Sequence, residues 1–226
     1  MTEKRERPIV AIDGPSGSGK STVSKAVADE LGFTYINTGA MYRCVALLCG
    51  RAKLPCEETP VLESLLNDIQ IQFDGPAGSQ KVLCNGEDVS GLIYAHDISK
   101  LASDFSALPM VRRKLVAMQR EMGNQGGVVM EGRDIGSNVF PDAEVKVFLD
   151  ASPEVRAKRR FDELNAQGKD VNYQQILDDE TRRDRHDIMR SLNPLRKADG
   201  AVVVDSSELN IQEVTRLVCN IVNKKE

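Results

Sequence analysis

Gly14-Pro15-Ser16-Gly17-Ser18-Gly19-Lys20-Ser21 fits G-x-x-x-x-G-K-[ST] at every fixed position, and the chemistry that this pattern serves is the gripping of a polyphosphate. Glycines let successive backbone N–H groups turn inward on an anion, and a helix beginning at the end of the loop adds a partial positive charge. Lys20 is expected to reach the β- and γ-phosphates, and the Ser21 hydroxyl to reach Mg²⁺. The segment Gly14 to Thr22 is therefore expected to hold ATP with its metal ion. Such a loop alone leaves GTPase, motor, transporter subunit and small-molecule kinase all open.

Arginines narrow the choice. Arg43 lies near the start of a predicted helix, where backbone N–H groups also favour an anion, and Arg133 follows the carboxyl end of a predicted strand, the edge at which open parallel sheets bind ligands. Arg183, Asp187 and Arg190 are spaced i, i+4, i+7, so a helix there would put all three on one face. The stretch from Asp178 to Asp187 has no apolar residue to bury. The plainer alternative is a solvated face pairing with Glu180 and Asp187, worth about 0.3–0.5 kcal/mol per pair. Ser152-Pro153-Glu154 opens a further helix carrying Arg156, Arg159 and Arg160. Transfer of a phosphoryl group to another phosphate gathers negative charge and must exclude water, and closing arginines answer both needs. An acceptor that is already an anionic oxygen needs no general base, which suits a chain whose only histidines are His96 and His186.

These groups must be held by an α/β framework. Ile9 to Ile12, Phe33 to Ile36, Gly127 to Met130, Val145 to Leu149 and Ala201 to Val204 read as short strands, mostly continuous apolar runs suited to a parallel sheet covered on both faces. Helical spacing follows the phosphate loop at Val23, Ala26, Val27 and Leu31, and continues at Met41, Val45 and Leu48. Thr59-Pro60 announces a helix, alternation at Ile69 to Phe73 and the run Lys81 to Cys84 read as strands, and Asn85-Gly86 marks a hairpin. Residues 60–105 thus read as a small α+β insertion. Pro109 starts a helix with Val111, Leu115, Met118 and Met122 on one face. Asn210 and Glu213 have capping-box spacing ahead of the stripe Val214, Leu217, Val218, Ile221 and Val222.

The chain has 226 residues, 41% hydrophobic and 28% charged, with a formal net charge of −4, an ordinary balance for a folded chain. That charge argues against a global hold on nucleic acid or an anionic membrane, although eight of the 17 arginines fall between 156 and 196. Five cysteines, odd in number and without C-x-x-C spacing, are expected to be reduced thiols. The charged segment before Pro8 lacks an apolar signal core, and a cytoplasmic location is expected.

The segments Gly14 to Thr22, Asn37-Thr38-Gly39-Ala40-Met41-Tyr42-Arg43, Asn85-Gly86-Glu87-Asp88-Val89-Ser90, Glu131-Gly132-Arg133-Asp134-Ile135-Gly136 and Val145 to Ala151 together resemble bacterial cytidylate kinases. The resemblance runs from about Ile9 to the end. It implies a P-loop nucleoside monophosphate kinase, with a five-stranded parallel sheet flanked by helices, that moves the γ-phosphate of ATP onto CMP or dCMP. By the same resemblance Thr38, Arg43, Arg133 and Arg190 would hold the acceptor phosphate, while Ser103, Arg112 and Asp134 would read the cytosine edge. Arg183 and Asp187 would meet the sugar, and Arg156, Arg159 and Arg160 would join Lys20 and Arg133 from a lid. The implied division is a core of residues 1–37, 106–152 and 171–226, a monophosphate-binding region of residues 38–105, and a lid of residues 153–170. The expected partners are small molecules, and the expected state is a monomer. Tyr94 stands where the resemblance leads one to expect a basic residue.

Overall fold

A computed structural model describes residues 5–224; residues 1–4 and 225–226, which include most of the charged leading segment, lie outside the described residues. The main sheet comprises β1 (Ile9–Asp13), β2 (Thr34–Asn37), β6 (Val128–Gly132), β7 (Val145–Asp150) and β8 (Val202–Asp205), all parallel, in the order β2-β6-β1-β7-β8. Central β1 pairs Ile9 with Val128 on one side and Val10 with Val145 on the other, and all five of its residues are buried. That double covering is why its sequence is a continuous apolar run.

One face of the sheet is covered by α1 (Lys20–Leu31) and α8 (Ile211–Asn223), whose Val23, Val27, Val214 and Val218 meet Val10, Ile12, Val147 and Leu149. On the other face Ile9, Ala11 and Met130 pack with Ile135 and Phe140. The strand expected at Phe33 begins one residue later, because the Phe33 N–H bonds the Ala28 carbonyl and closes α1 behind left-handed Gly32.

The insertion has its own core. Helices α2 (Thr38–Arg51), α3 (Pro60–Asp68), α4 (His96–Phe105) and α5 (Pro109–Gly123) enclose Met41, Leu62, Leu66, Phe105, Val111 and Leu115, together with residues of the antiparallel strands β3 (Ile71–Asp74) and β4 (Lys81–Cys84). Asn85 and Gly86, both at positive φ, turn β4 into β5 (Glu87–Asp88). Helix α4 is unannounced in the sequence because Ala95 supplies no capping side chain, although Ile98, Ala102 and Phe105 are buried along one face. Two further helices, α6 (Pro153–Ala166) and α7 (Tyr173–Met189), pack on each other. No helix among the described residues is long and apolar enough to cross a membrane.

The capping box at α8 is formed in full: Asn210 Oδ1 accepts from Glu213 N at 3.0 Å, and Glu213 Oε2 accepts from Asn210 N at 2.8 Å. Asn210→Ala is expected to remove about 1 kcal/mol of stability, lowering Tm by about 2–4 °C in thermal denaturation. The expected apolar stripe of α8 is corrected at Leu217, which is exposed, while Thr215 and Cys219 are buried in its place. Val214, Val218, Cys219 and Val222 are the buried members of α8 in the core that it shares with α1 and the sheet.

Candidate active site

The phosphate loop joins β1 to α1 under tight constraint. At Gly14, φ 154°, a Cβ would stand 2.0 Å from the Leu149 carbonyl oxygen of β7, and at Gly17, φ 73°, it would stand 3.0 Å from Arg156 Cβ. Ser18 Oγ donates to the Pro15 carbonyl at 3.1 Å. Lys20 is buried, and its Nζ donates to the same carbonyl and to Ser18 Oγ at 3.3 Å. Burial, and after it the charge of Arg133, pulls the Lys20 ammonium down to about 7. An anionic ligand would reverse that pull. Ser21 and Thr22 are exposed on the first turn of α1.

Asp13 closes β1 and accepts from Ile135 N at 2.7 Å and Gly136 N at 2.8 Å, so it fixes the turn that carries Arg133 and Asp134. Burial raises its carboxyl to about 6. Tyr35 of β2 donates to the buried Glu131 carboxylate and lies within hydrogen-bond reach of Ser21; burial, then the Glu131 charge, drive its proton loss far above the ordinary range. These groups suit Mg²⁺ bound in its usual manner, through a hydroxyl, water and substrate oxygens: Ser21 is open, and the Glu131 carboxylate lies behind it across the Tyr35 hydroxyl. No cluster of three or more His, Cys, Asp or Glu among the described residues offers an all-protein metal cage.

The arginines of α6 divide. Arg156 is buried, and its guanidinium is held by Ala151 O at 2.9 Å, Ser16 O at 3.0 Å and Asp184 Oδ2 at 2.5 Å. It braces the phosphate loop against α6 and α7, rather than standing open as a closing cation. Arg159 donates to Ser206 O at 2.6 Å, to Ser206 Oγ at 3.2 Å and to Ser18 O at 3.4 Å, which sets it at the loop's edge. Arg160 is the exposed one, pairing with Glu163 at 2.7 Å.

On the acceptor side, Asn37 caps α2 by accepting from Ala40 N at 2.9 Å, and Thr38 Oγ1 donates to Glu131 O at 2.7 Å. Arg43 folds back toward the start of α2, where its Nη1 donates to Gly39 O at 3.1 Å. Arg133 Nε donates to Asp187 Oδ2 at 2.9 Å, and against the burial penalty Asp187 holds its guanidinium above the ordinary value. The helix expected to carry Arg183, Asp187 and Arg190 on one face stops just short of Arg190, although Arg190 Nη1 still lies 4.0 Å from Asp187 Oδ1. Helix α7 ends at Met189, and Arg190 is extended, with ψ 140°. Its side chain returns through Nε to Asn193 O at 2.7 Å and through Nη2 to Asp134 Oδ1 at 3.2 Å. The charged face is therefore no solvated stripe: Asp187 is buried against Arg133.

Asp134 is a hub. Its Oδ2 accepts from Arg112 Nη2 at 2.6 Å and Asn138 Nδ2 at 3.0 Å, while Arg190 takes Oδ1. Arg112 also lies 5.7 Å from the centroid of the Tyr42 ring. Burial first, against the opposing pull of Arg112, and then the Asp134 charge lift the Tyr42 phenol to about 12. The bond that ties α4 to this pair comes from beside Ser103: Arg112 Nη1 donates to Ser106 O at 3.3 Å, and the Ser103 carbonyl accepts from Ser106 Oγ.

Lys20, Arg43, Arg133 and Arg183 thus converge closely enough to feel one another's charge, since Arg133 acts on Lys20, Arg43 and Arg183, and Arg183 acts on Arg43. Burial, then Arg183, pulls Arg43 down to about 10. Glu131 and Asp187 offset part of this mutual repulsion, and a multiply charged anion would offset more. Arg43 Nε and Arg112 Nε are buried with no acceptor among the described residues. A cavity of about 400 Å³ beside Pro15 is lined by Asp150, Asp184 and Asp205 together with Arg156, which pairs with Asp184 at 2.5 Å. Tyr42, Glu131, Asn138, Asp184 and Ser206 are the site residues that sequence reasoning passed over. Two segments held a local signal for any of them: Ala40 to Arg43 for Tyr42, and Glu131 to Gly136 for Glu131.

A family profile described as cytidylate kinase matches residues 10–224. A protein of Syntrophotalea carbinolica named cytidylate kinase is 48% identical over 218 residues, covering 96% of this chain and 93% of its own length. Another of that name from Caldicellulosiruptor saccharolyticus is 47% identical over 215 residues, with 95% of each chain covered. Among solved structures, a gluconokinase from Sinorhizobium meliloti 1021 superposes with a TM-score of 0.50 at 16% identity over 98% of this chain and 94% of its own, a likeness of fold.

Proposed function

The chain belongs to the cytidylate kinase family, a family of ATP-using nucleotide kinases, and on that basis we propose that it transfers the γ-phosphate of ATP to the 5′-phosphate of CMP and dCMP, acting as a monomer. The observation that carries this reading is the cluster of Arg43, Arg133 and Arg183 beside the phosphate loop, with the buried Arg112–Asp134 pair at its far side. Residues 38–105 then serve the acceptor, residues 153–170 act as the lid, and residues 1–37, 106–152 and 171–226 make the core.

In this reading the backbone N–H groups of Gly14 to Thr22 and the start of α1 hold the donor's phosphates, and Lys20 swings from the Pro15 carbonyl onto the β- and γ-phosphates. Mg²⁺, when bound at Ser21, neutralises charge on the phosphate oxygens. Thr38, Arg43, Arg133 and Arg190 hold the acceptor phosphate in line, Arg183 and Asp187 flank the sugar, and Ser103, Arg112 and Asp134 read the base. Asp187 does a second task by aiming Arg133. Arg159 and Arg160 close over the transferring group, with Arg156 fixing the helix that carries them. No side chain has to take a proton, because the attacking oxygen is already anionic. Cytosine offers acceptors at O2 and N3 and a donor at N4, which a guanidinium, a hydroxyl and a carboxylate can match.

A coupled assay with ATP against CMP, dCMP, UMP and AMP tests the proposal. CMP and dCMP are expected to exceed AMP in kcat/KM by at least about tenfold, the discrimination of one well-placed polar contact at the base. A preference for AMP would sink the cytidine assignment.

A further inference from the structure

We propose that Tyr94 is a positioning residue of the acceptor site, its ring lying over the Arg43 guanidinium and holding that cation in the plane where an acceptor phosphate meets it. The proposal rests on the reading of Arg43 as a phosphate-binding group.

The turn that carries Tyr94 is pinned from below. Val89 and Ile93 are fully buried in the core of the insertion, Val89 N donates to Val82 O at 2.9 Å, and Ile93 N donates to Val89 O at 3.1 Å. Ala95 N then closes on Leu92 O at 3.3 Å. The backbone on both sides of Tyr94 is thereby fixed, yet its side chain remains 53% exposed. The ring does not fill the apolar core beneath it. It faces Arg43, whose Cζ lies 5.4 Å from the ring centroid, within the range of a cation–π contact.

Arg43 needs such a support. Among the described residues its one anchoring bond is Nη1 to Gly39 O, and its buried Nε has no acceptor. Arg133 and Arg183 are near enough to repel it. A guanidinium among cations, tied at one corner, is free to swing outward toward water; an aromatic face laid on its flat side opposes that motion and leaves its N–H edge open. Tyr94 comes from the insertion and Arg43 from α2, so the contact also sets the insertion over the acceptor cleft.

The test compares wild type with Tyr94→Leu, which keeps bulk and loses the π face, and with Tyr94→Phe, which keeps the face and loses the hydroxyl. Tyr94→Leu is expected to raise KM for CMP about three- to tenfold, with kcat and KM for ATP within about twofold of wild type and Tm unchanged. Tyr94→Phe is expected to match wild type. An unchanged KM for CMP in Tyr94→Leu overturns the proposal, as does an equal rise in KM for ATP. Equal defects in Leu and Phe overturn it too, by assigning the effect to the hydroxyl. Wild-type turnover of CMP, measured first, tests the acceptor reading separately. A second measurement needs no turnover: phenylglyoxal modification of Arg43, followed by mass spectrometry, is expected to run faster in Tyr94→Leu than in wild type or Tyr94→Phe. Equal rates in all three proteins overturn the proposal whatever the substrate.

Discussion

Lys20→Ala is expected to lower kcat for phosphoryl transfer by about two to three orders of magnitude, the cost of deleting one preorganised charge from a water-poor site. The ammonium rests on the Pro15 carbonyl and Ser18 Oγ, both within the loop itself. It is thus held back by weak internal acceptors and is free to exchange them for phosphate oxygens. Lys20→Arg is expected to fail nearly as badly, because a planar fork cannot occupy the place of a compact point charge. Neither change should unfold the protein, since the ammonium is buried at a cost. The pH dependence of stability provides a second readout. Lys20 loses its proton near 7 in the folded chain and near 10.5 in the unfolded one, so across that window the unfolded state holds more protons and folding stability rises with pH. Below pH 7 both states are protonated and the burial cost is fully present. Lys20→Ala is expected to remove this contribution to the alkaline rise, as measured by denaturant titration at pH 6, 8 and 9.5. An unchanged kcat in Lys20→Ala would rule out the role assigned to the ammonium.

The phosphate loop was readable in the sequence because every group in it is local: the glycines, Lys20 and Ser21 lie within eight positions, and the strand and helix beside them carry plain patterns. Strands β1 and β6 were readable for a related reason, since both are buried throughout and covered on both faces, whereas β8 keeps an apolar run although it is an edge strand and largely exposed. What a linear pattern does not carry is how each charge is partnered. Arg156, Arg159 and Arg160 look alike in sequence, yet the first braces the loop at Ser16, the second grips Ser206 and the third lies open on α6. That division depends on β8 and α7, which meet α6 only after folding. Arg190 illustrates the same limit: helical spacing placed it beside Arg183, but the chain leaves the helix at Met189, and a bond to Asn193 O steers the guanidinium back. The family resemblance supplied residue names that spacing could not, such as Arg112 and Asp134. It did not reveal that these two bind each other.

That pair is the basis for the largest expected loss of stability. Asp134→Ala is expected to destabilise the fold by about 3–5 kcal/mol, because it leaves Arg112 and Arg190, 3% and 7% exposed in their side chains, without their shared carboxylate. Asn138 Nδ2 loses its acceptor as well. The effect does not come from a cavity, since the carboxylate is small; it comes from two guanidinium charges confined where water does not reach. Arg112 retains the Tyr42 ring and the Ser106 carbonyl, neither of them charged, and Arg190 retains Asn193 O and a longer contact, 4.0 Å, to the Asp187 carboxylate that Arg133 already engages. Asp134→Asn keeps the shape and one acceptor oxygen while turning an N–H₂ toward donors, so it should recover only part of the loss. Removing a buried cation together with its carboxylate should cost less than the two separate changes summed: Asp134→Ala with Arg112→Met is expected to show a coupling of about 1–3 kcal/mol in urea denaturation at 15 °C. Additive losses would mean that the ion pair is incidental to the packing around it. The same variants separate stability from substrate binding, because Arg112→Met with Asp134→Ala restores charge balance without restoring anything that could meet a base; KM for CMP should remain high in the double variant while its stability recovers. Recovery of both together would show that Asp134 and Arg112 serve the fold alone.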